Sequence, residues 1–144
     1  DGLSVIECNN EHFGKAENIL APGEAKNMGD GWETRRRRGK GFDWLILNTL
    51  DGKEIDKIEI STHHFKGNFP SHCSIQAAYL TNSKNSKQIV KSSTKWRYLL
   101  KNVKLSANKI HIFKNILLKK DRINYIKINI FPDGGISRFK IFGK

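Results

Sequence analysis

The chain has 144 residues, 38% of them hydrophobic and 10% aromatic, which suffices for one domain with a packed core and excludes global disorder. Its 26 Lys plus Arg against 14 Asp plus Glu give a formal net charge of +12. No apolar run reaches the roughly 20 residues of a membrane-spanning helix, Asp1–Asn10 lacks the features of a signal peptide, and Cys8 and Cys73 are too few for a disulfide scaffold. We therefore expect a soluble domain located in the cytoplasm.

The predicted strands are short apolar or alternating runs: Val5–Cys8, Phe42–Leu50, Ile58–Thr62, Cys73–Leu80, Gln88–Lys91, Tyr125–Phe131 and Ile136–Phe142. Asn9–Asn27 indicates an extended segment wrapped on the domain, with a helical turn at Lys15–Leu20. Leu50–Lys53 predicts a turn, while Trp96–Leu100 and Ile110–Leu118 fit either strand or coil. No segment shows sustained helical periodicity. The sequence therefore predicts an all-β fold, an antiparallel β-sandwich or jelly roll, in a single domain over residues 1–144.

The last two strands are predicted to form a hairpin. A two-residue loop at Gly134-Gly135 pairs Ile130 with Phe139, so that turn chemistry and hydrophobic register agree. The same register places Arg138 opposite Phe131, off the core face. In the plainest interpretation this is an ordinary turn with an exposed cation.

The net charge has three explanations: a solvated surface, binding to nucleic acid, or attraction of a small anion into a positive cleft. Nineteen of the 26 cations are lysines scattered along the chain, many of them beside asparagine, which favours the solvated surface. No module with interleaved aromatics indicates nucleic-acid binding. We predict neither a nucleic-acid nor a membrane partner.

Four of the seven arginines are consecutive, at Arg35–Arg38. In a regular strand Trp32 and Arg36 share a face, so burying the tryptophan draws Arg36 inward, where an unpaired guanidinium is very costly. Either an acid compensates this charge (Asp30, Glu33 or Asp43) or the arginine lines a polar pocket. The planar guanidinium suits a carboxylate or a phosphate. A solvated basic loop, or a nuclear-localisation-like run, explains the same residues.

Two histidines follow the Ile58–Thr62 strand. Alternation places His64 on the same face as Thr62 and turns His63 the opposite way. A histidine at the end of a strand is well placed for acid–base chemistry because its pKa lies near neutrality, and a hydrogen-bonded structural histidine is the alternative. Since the two rings are expected to face apart and no third ligand has suitable spacing, we predict no metal site.

Taken together, several stretches resemble the allantoicase family. The matching pieces are His12–Gly14, Asn18–Gly23, Asn27–Arg38, Asp43-Trp44, His64–Pro70, Ser74–Ala78 and Pro132–Arg138. They run nearly from end to end in the family's order, with a weaker middle between Tyr79 and Tyr125. One departure is Ser61, where the family usually has an aspartate.

The resemblance implies hydrolysis of allantoate to ureidoglycolate and urea in purine (ureide) degradation, by a hydrolase that acts on C–N bonds of linear amidines. It also implies two similar jelly-roll repeats of the galactose-binding type. The sequence at Phe13-Gly14 and His64–Asn68 is most similar to that of the second repeat. We therefore expect this chain to be the C-terminal half of a longer protein that packs against a first repeat and forms homo-oligomers. We predict no cofactor.

The candidate catalytic residues are Glu33, His64 and Asp30, and the candidate substrate-binding residues are Arg35, Arg36, Asn68, Asp133 and Arg138. In this hypothesis the Arg35–Arg36 pair holds the substrate carboxylate, and Glu33 or His64 is the general acid or base. Rival hypotheses are a catalytically silent ligand-binding or assembly module of the same fold and a nucleic-acid binder.

Overall fold

The structure is a computed structural model that describes residues 2–82 and 84–144. In these ranges the strands are β1 Leu3–Cys8, β2 Trp32–Glu33, β3 Asp43–Ser61, β4 His72–Ala78, β5 Arg97–Lys104, β6 Ile110–Phe113, β7 Arg122–Phe131, β8 Gly135–Ile136 and β9 Arg138–Gly143. One α-helix in the described part, α1, spans Ser86–Ser93, and 3₁₀ turns cover Ala16–Leu20 and Met28–Asp30. The strand pairs are antiparallel, which confirms the predicted all-β class. None of the helices in this part of the chain has the length and apolarity needed to cross a membrane.

Strand β3 belongs to two sheets. Its first half pairs with β1 and β7 in a sheet of order β1-β3-β7-β4-β5, and its second half is flanked by β6 and β9. The predicted turn at Leu50–Lys53 is therefore wrong. The register with β7 jumps from Asn48 to Lys53, so the residues between them bulge out without reversing the chain, and the Leu50 side chain remains 79% exposed.

The hydrophobic core lies between the two sheets. Its fully buried side chains come from both layers and include Leu45, Leu47, Ile75, Ile128 and Ile130 from the first sheet and Ile58, Ile60 and Phe139 from the second. Burying one such side chain contributes about 1.5–3 kcal/mol to the free energy of folding. Both cysteines are free. Burial is the main reason that the pKa of Cys8 rises to about 11 and that of Cys73 to about 12, so both remain thiols at neutral pH.

Helix α1 covers the outer face of the first sheet. Asn85 caps it, because its Oδ1 accepts the main-chain N–H of Gln88 (2.8 Å) and the Gln88 Oε1 accepts that of Asn85 (3.0 Å). Ile89 is buried beneath the helix with Ile46 and Trp96. The predicted strand over Gln88–Lys91 is thus wrong, because this capping box starts a helix whose buried side follows a helical period.

The predicted C-terminal hairpin is also wrong. Strand β7 pairs with β3 and β4, whereas β9 pairs with β3 in the other sheet, so that Phe139 lies opposite Ile60. The backbone at Gly134 bonds to Thr34, and the N–H of Gly135 donates to the Asn68 carbonyl oxygen (2.9 Å). These long-range partners occupy the groups that a tight turn would use. The connection therefore crosses between the sheets.

Arg138 takes a different place from the one predicted. It lies opposite Ser61 in the β3–β9 register, away from Phe131, and is 6% exposed. The Oγ of Ser61 lies 3.0 Å from that of Ser137. Ser61 is therefore a buried hydroxyl at the end of β3.

Candidate active site

The candidate site is built on the two-stranded sheet formed by β2 and β8. Glu33 pairs with Gly135 on one side and forms a bridge with Gly14 on the other. Its neighbour Trp32 is fully buried, and the indole Nε1–H donates to the Asn10 carbonyl oxygen (2.8 Å). Because successive side chains of a strand alternate in direction, burial of the indole turns the Glu33 carboxyl to the opposite, half-buried face.

Asn68 bonds directly to the Glu33 carboxyl. Its side-chain Nδ2 donates to Glu33 Oε2, and its main-chain carbonyl oxygen accepts the N–H of Gly135. Burial raises the pKa of Glu33, and the hydrogen bond from Asn68 opposes part of that rise. The result is a carboxyl group that holds its proton to higher pH than a free glutamate does, as general acid–base chemistry near neutrality requires.

Phe65 forms the floor beneath this junction. Its side chain is fully buried, and a Cβ added at Gly135 would lie 1.9 Å from a ring carbon. Only glycine allows β8 to come this close to the ring. The aromatic ring therefore packs directly against the strand that pairs with Glu33.

The arginine run leaves the sheet directly after β2. Thr34 is still buried, as alternation predicts, but Arg36 is exposed because the strand ends at Glu33. The main-chain N–H of Arg35 donates to Oδ1 of Asn10 (2.9 Å). Nη2 of Arg35 lies 3.2 Å from Nδ1 of His12. Arg35 and Arg36 thus remain exposed, in the segment that directly follows Glu33.

Asp133 reaches the same place from the connection between β7 and β8. Its Oδ2 accepts the main-chain N–H of Arg37 (2.6 Å), and Gly134 next to it exchanges hydrogen bonds with Thr34 (3.0 and 3.1 Å). Hydrogen bonds join Asn68 to Glu33 and Asp133 to Arg37, and Arg35 and Arg36 lie between Glu33 and Arg37 in the chain. We name these six residues the Glu33 cluster: Glu33, Arg35, Arg36, Arg37, Asn68 and Asp133.

Asp30 and Arg138 form a separate pair. Nη2 of Arg138 lies 2.9 Å from Asp30 Oδ2, and its other nitrogens donate to the carbonyl oxygens of Asn18, Gly23, Asp30 and Ser137. The pKa of Asp30 is lowered, first by the main-chain N–H of Lys26 and then by Arg138. Their polar atoms are therefore engaged in tying residues 18–31 to β9.

His64 also contacts this wrapped segment. Its Nε2 lies 2.7 Å from the Ala25 carbonyl oxygen, which requires the hydrogen on that nitrogen. The expectation that His63 and His64 face apart is wrong. Strand β3 ends at Ser61 and His64 has φ = 78°, so the chain turns and the two rings stack with their centres 3.8 Å apart. Across residues 2–82 and 84–144, His, Cys, Asp and Glu form no group of three that could hold a metal ion.

Sequence reasoning missed the separate role of Arg37 and the contributions of Asn10 and His12. Each depends on contacts between segments that are distant in the chain, such as Arg37 with Asp133. The one available signal was that His12 lies in a stretch matching the family.

Comparisons with known proteins show the family. A family model described as "Allantoicase repeat" matches residues 1–144. A protein of Acinetobacter baumannii (strain AYE) named "Probable allantoicase" is 48% identical over 144 residues, covering 100% of this chain and 43% of that protein. The chain belongs to the allantoicase family. The resemblance expected from the sequence is confirmed, and the chain spans less than half the length of the curated allantoicases it matches.

Solved structures support the same assignment. The crystal structure of allantoicase from Saccharomyces cerevisiae matches with a TM-score of 0.84 and 29% identity, over 99% of this chain and 41% of that one. A fucolectin from striped bass serum matches with a TM-score of 0.71 at 10% identity, which shows the fold alone. The predicted jelly roll of the galactose-binding-like type is thereby confirmed.

Proposed function

We propose that the protein containing this chain hydrolyses allantoate to ureidoglycolate and urea, and that the Glu33 cluster is part of its active site. Membership of the allantoicase family supports the reaction. The observation that carries the site is the junction where Glu33, with its raised pKa, meets Asn68 beside a run of arginines. This junction combines a proton donor with anion-binding groups.

The reaction adds one water to the central carbon of allantoate as urea leaves. The guanidinium groups of Arg35 and Arg36 bind the substrate carboxylate. Protonated Glu33 gives its proton to the departing ureido nitrogen and, once ionised, takes a proton from the attacking water. Asn68 and Asp133 hold the ureido groups by hydrogen bonds, which orients the C–N bond that breaks.

The catalytic roles predicted for His64 and Asp30, and the anion-binding role of Arg138, stay predictions. In this conformation their polar atoms bond to Ala25, to Lys26 and to one another. They would serve the substrate directly only after the segment over residues 18–31 released them. We therefore assign the chemistry first to the Glu33 cluster.

We further propose that this chain is the C-terminal one of two repeats, that the two repeats pack together in a homo-oligomer, and that the protein works in the cytoplasm. The relatives' length supports a second repeat, because the chain covers 43% of them. The two free thiols are in keeping with a reducing compartment. The chemistry proposed for Glu33 uses protein groups alone and needs no cofactor.

The decisive experiment measures urea released from allantoate by the full-length protein, with Glu33→Gln as the test variant. Loss of the proton donor should lower kcat by about 10²–10⁴-fold. Glu54→Gln is the matched control, since Glu54 is a half-buried glutamate of β3 outside the cluster. Its kcat should equal that of the wild type.

Three outcomes separate this proposal from its rivals. Absence of urea release above background from the full-length protein would contradict it. A thermal shift with allantoate but no turnover would identify a catalytically silent binding module instead. Steeply salt-dependent affinity for DNA or RNA would favour a nucleic-acid binder.

A further inference from the structure

Arg37 differs from the two arginines beside it. Arg36 and Arg38 are exposed, whereas the side chain of Arg37 is only 26% exposed and folds back onto the protein. Its Nη2 donates to the carbonyl oxygen of Phe42 (2.9 Å) and forms an ion pair with Asp43. The charge of Arg37 is thus paired within the domain, whereas the side chains of Arg36 and Arg38 are exposed to solvent.

Asp43 is a buried partner for this charge. The residue is 1% exposed, and its Oδ1 accepts hydrogen bonds from Arg37 and from Nδ2 of Asn9 (2.9 Å). Asn9 is fixed in turn, since its Oδ1 accepts the main-chain N–H of Trp44 (2.8 Å). A buried carboxylate requires a cation close by, so Arg37 stays in this position.

Gly41 makes room for the guanidinium group. A Cβ at this position would lie 2.8 Å from Nη1 of Arg37, and the backbone has φ = 130°. Both facts favour glycine here. Gly41 therefore leaves the space that the planar group of Arg37 occupies beside Asp43.

The other end of Arg37 holds the connection that carries Asp133. The main-chain N–H donates to Asp133 Oδ2 (2.6 Å), and Nε donates to the carbonyl oxygen of Pro132 (3.3 Å). One residue thus fixes both the carboxylate and the backbone next to it. The bonds between Thr34 and Gly134 hold the adjoining backbone, and the ion pair to Asp43 fixes the side chain of Arg37 against it.

We propose that Arg37 is a positioning residue of the active site: anchored by Asp43, it aims the Asp133 carboxylate at the substrate and leaves Arg35 and Arg36 to bind the substrate's carboxylate. This inference rests on the proposed allantoate hydrolysis. It divides the arginine run by function, with Arg37 acting through Asp133 and its neighbours acting on the ligand.

The test compares kcat and KM for urea release by the full-length protein carrying Arg37→Ala, Arg37→Lys or Gly41→Ala, with Arg38→Ala as the exposed control. Misplacing a substrate-binding group costs about 100-fold in rate, so Arg37→Ala should lower kcat by about that factor while KM changes by less than about threefold. Gly41→Ala should act in the same direction because it displaces the guanidinium group, and Arg37→Lys should retain part of the activity. Arg38→Ala should behave as the wild type.

Two further measurements separate positioning from a merely structural role. Added guanidinium ion should restore part of the kcat of Arg37→Ala by occupying the space next to Asp43. Asp133→Asn introduced into Arg37→Ala should cost little more than either change alone, since both remove one function.

Several results would overturn the proposal. A KM raised tenfold or more at unchanged kcat would mean that Arg37 binds the substrate itself, and unchanged kcat and KM would mean that it has no role. If Arg37→Ala does not fold, wild-type kcat in both Gly41→Ala and Arg37→Lys would be equally decisive. A wild-type protein that releases no urea would contradict both proposals. An active wild type together with an Arg37→Ala variant of unchanged kcat and KM would contradict only this one.

Discussion

Two carboxyl groups close together in the chain, Asp30 and Glu33, have pKa shifts in opposite directions. The main-chain N–H of Lys26 and the guanidinium group of Arg138 stabilise the ionised form of Asp30. Burial destabilises the ionised form of Glu33. One short segment therefore holds a carboxylate that stays ionised to lower pH than a free aspartate and a carboxyl group that keeps its proton to higher pH than a free glutamate.

This difference predicts opposite effects of pH on stability. The folded protein binds the Glu33 proton more tightly than the unfolded chain, so stability falls as pH rises from the ordinary glutamate pKa to the raised one. For Asp30 the sign is reversed: its contribution is present above the ordinary aspartate pKa and is lost as pH falls through the lowered one. Between pH 3 and pH 7, the Tm difference (variant minus wild type) should rise for Glu33→Gln and fall for Asp30→Asn. Thermal unfolding across this range checks both slopes, and parallel slopes would contradict the assignment.

The buried Arg138 should matter far more to stability than an exposed arginine. Arg138→Met leaves the carbonyl oxygens of Asn18, Gly23, Asp30 and Ser137 without their donor, and loss of the partner of a buried polar group costs about 1–3 kcal/mol. Arg97 forms an exposed ion pair with Asp121 (3.1 Å), and Arg97→Met should cost less than about 1 kcal/mol. Urea unfolding of the two variants measures the difference. Equal losses would show that the bonds to residues 18–31 add little.

At the scale of single elements, helix α1 depends on its cap. Asn85→Ala removes the side-chain oxygen that accepts the Gln88 N–H, which should lower the free energy of unfolding by about 1 kcal/mol. Lys87→Ala, an exposed substitution in the same helix, should change it by less than about 0.5 kcal/mol. Chemical denaturation followed by circular dichroism distinguishes the two, and a cap variant as stable as the control would contradict the role of Asn85.

Most strands were predictable because apolar side chains that face the core alternate with polar ones, as at Ile126, Ile128 and Ile130 in β7. What alternation cannot supply is the identity of the pairing strand. Ile130 and Phe139 do face one core, but they come from different sheets. The turn predicted at Leu50–Lys53 was wrong for a related reason: a bulge and a turn both place polar residues and glycine at the surface, so local sequence does not distinguish them.

Much of the candidate site was also predictable, because long matching stretches contain Glu33, Asn68 and Asp133. The direction of each arginine was not, since it depends on where β2 ends and on a carboxylate at Asp43. Local sequence placed Arg36 inward, whereas in the structure Arg37 is the arginine that turns back. A contact between residues almost a hundred positions apart, Arg37 with Asp133, leaves no local signature.

At the scale of the whole molecule, the net charge of +12 has two components. In the described ranges the ion pairs all use arginine, with Asp43, Asp121 and Asp30 as their partners. Lysines take part in none of those pairs, although they make up most of the cations. Arginine therefore builds the fold and the candidate site, while lysine chiefly supplies surface charge, as the scattered sequence positions indicated.

The shared strand β3 has a consequence for how fast the domain forms. Its partners come from near the start of the chain (β1) and from beyond residue 100 (β6, β7 and β9). The first sheet needs β1 and β7 beside β3, and the second needs β6 and β9 from much later in the chain. Such non-local pairing is slow, with folding times of about milliseconds to seconds in all-β domains. Substitutions within β3 should therefore lower the rate at which both sheets form, so that pairing of this strand limits the folding rate of the domain.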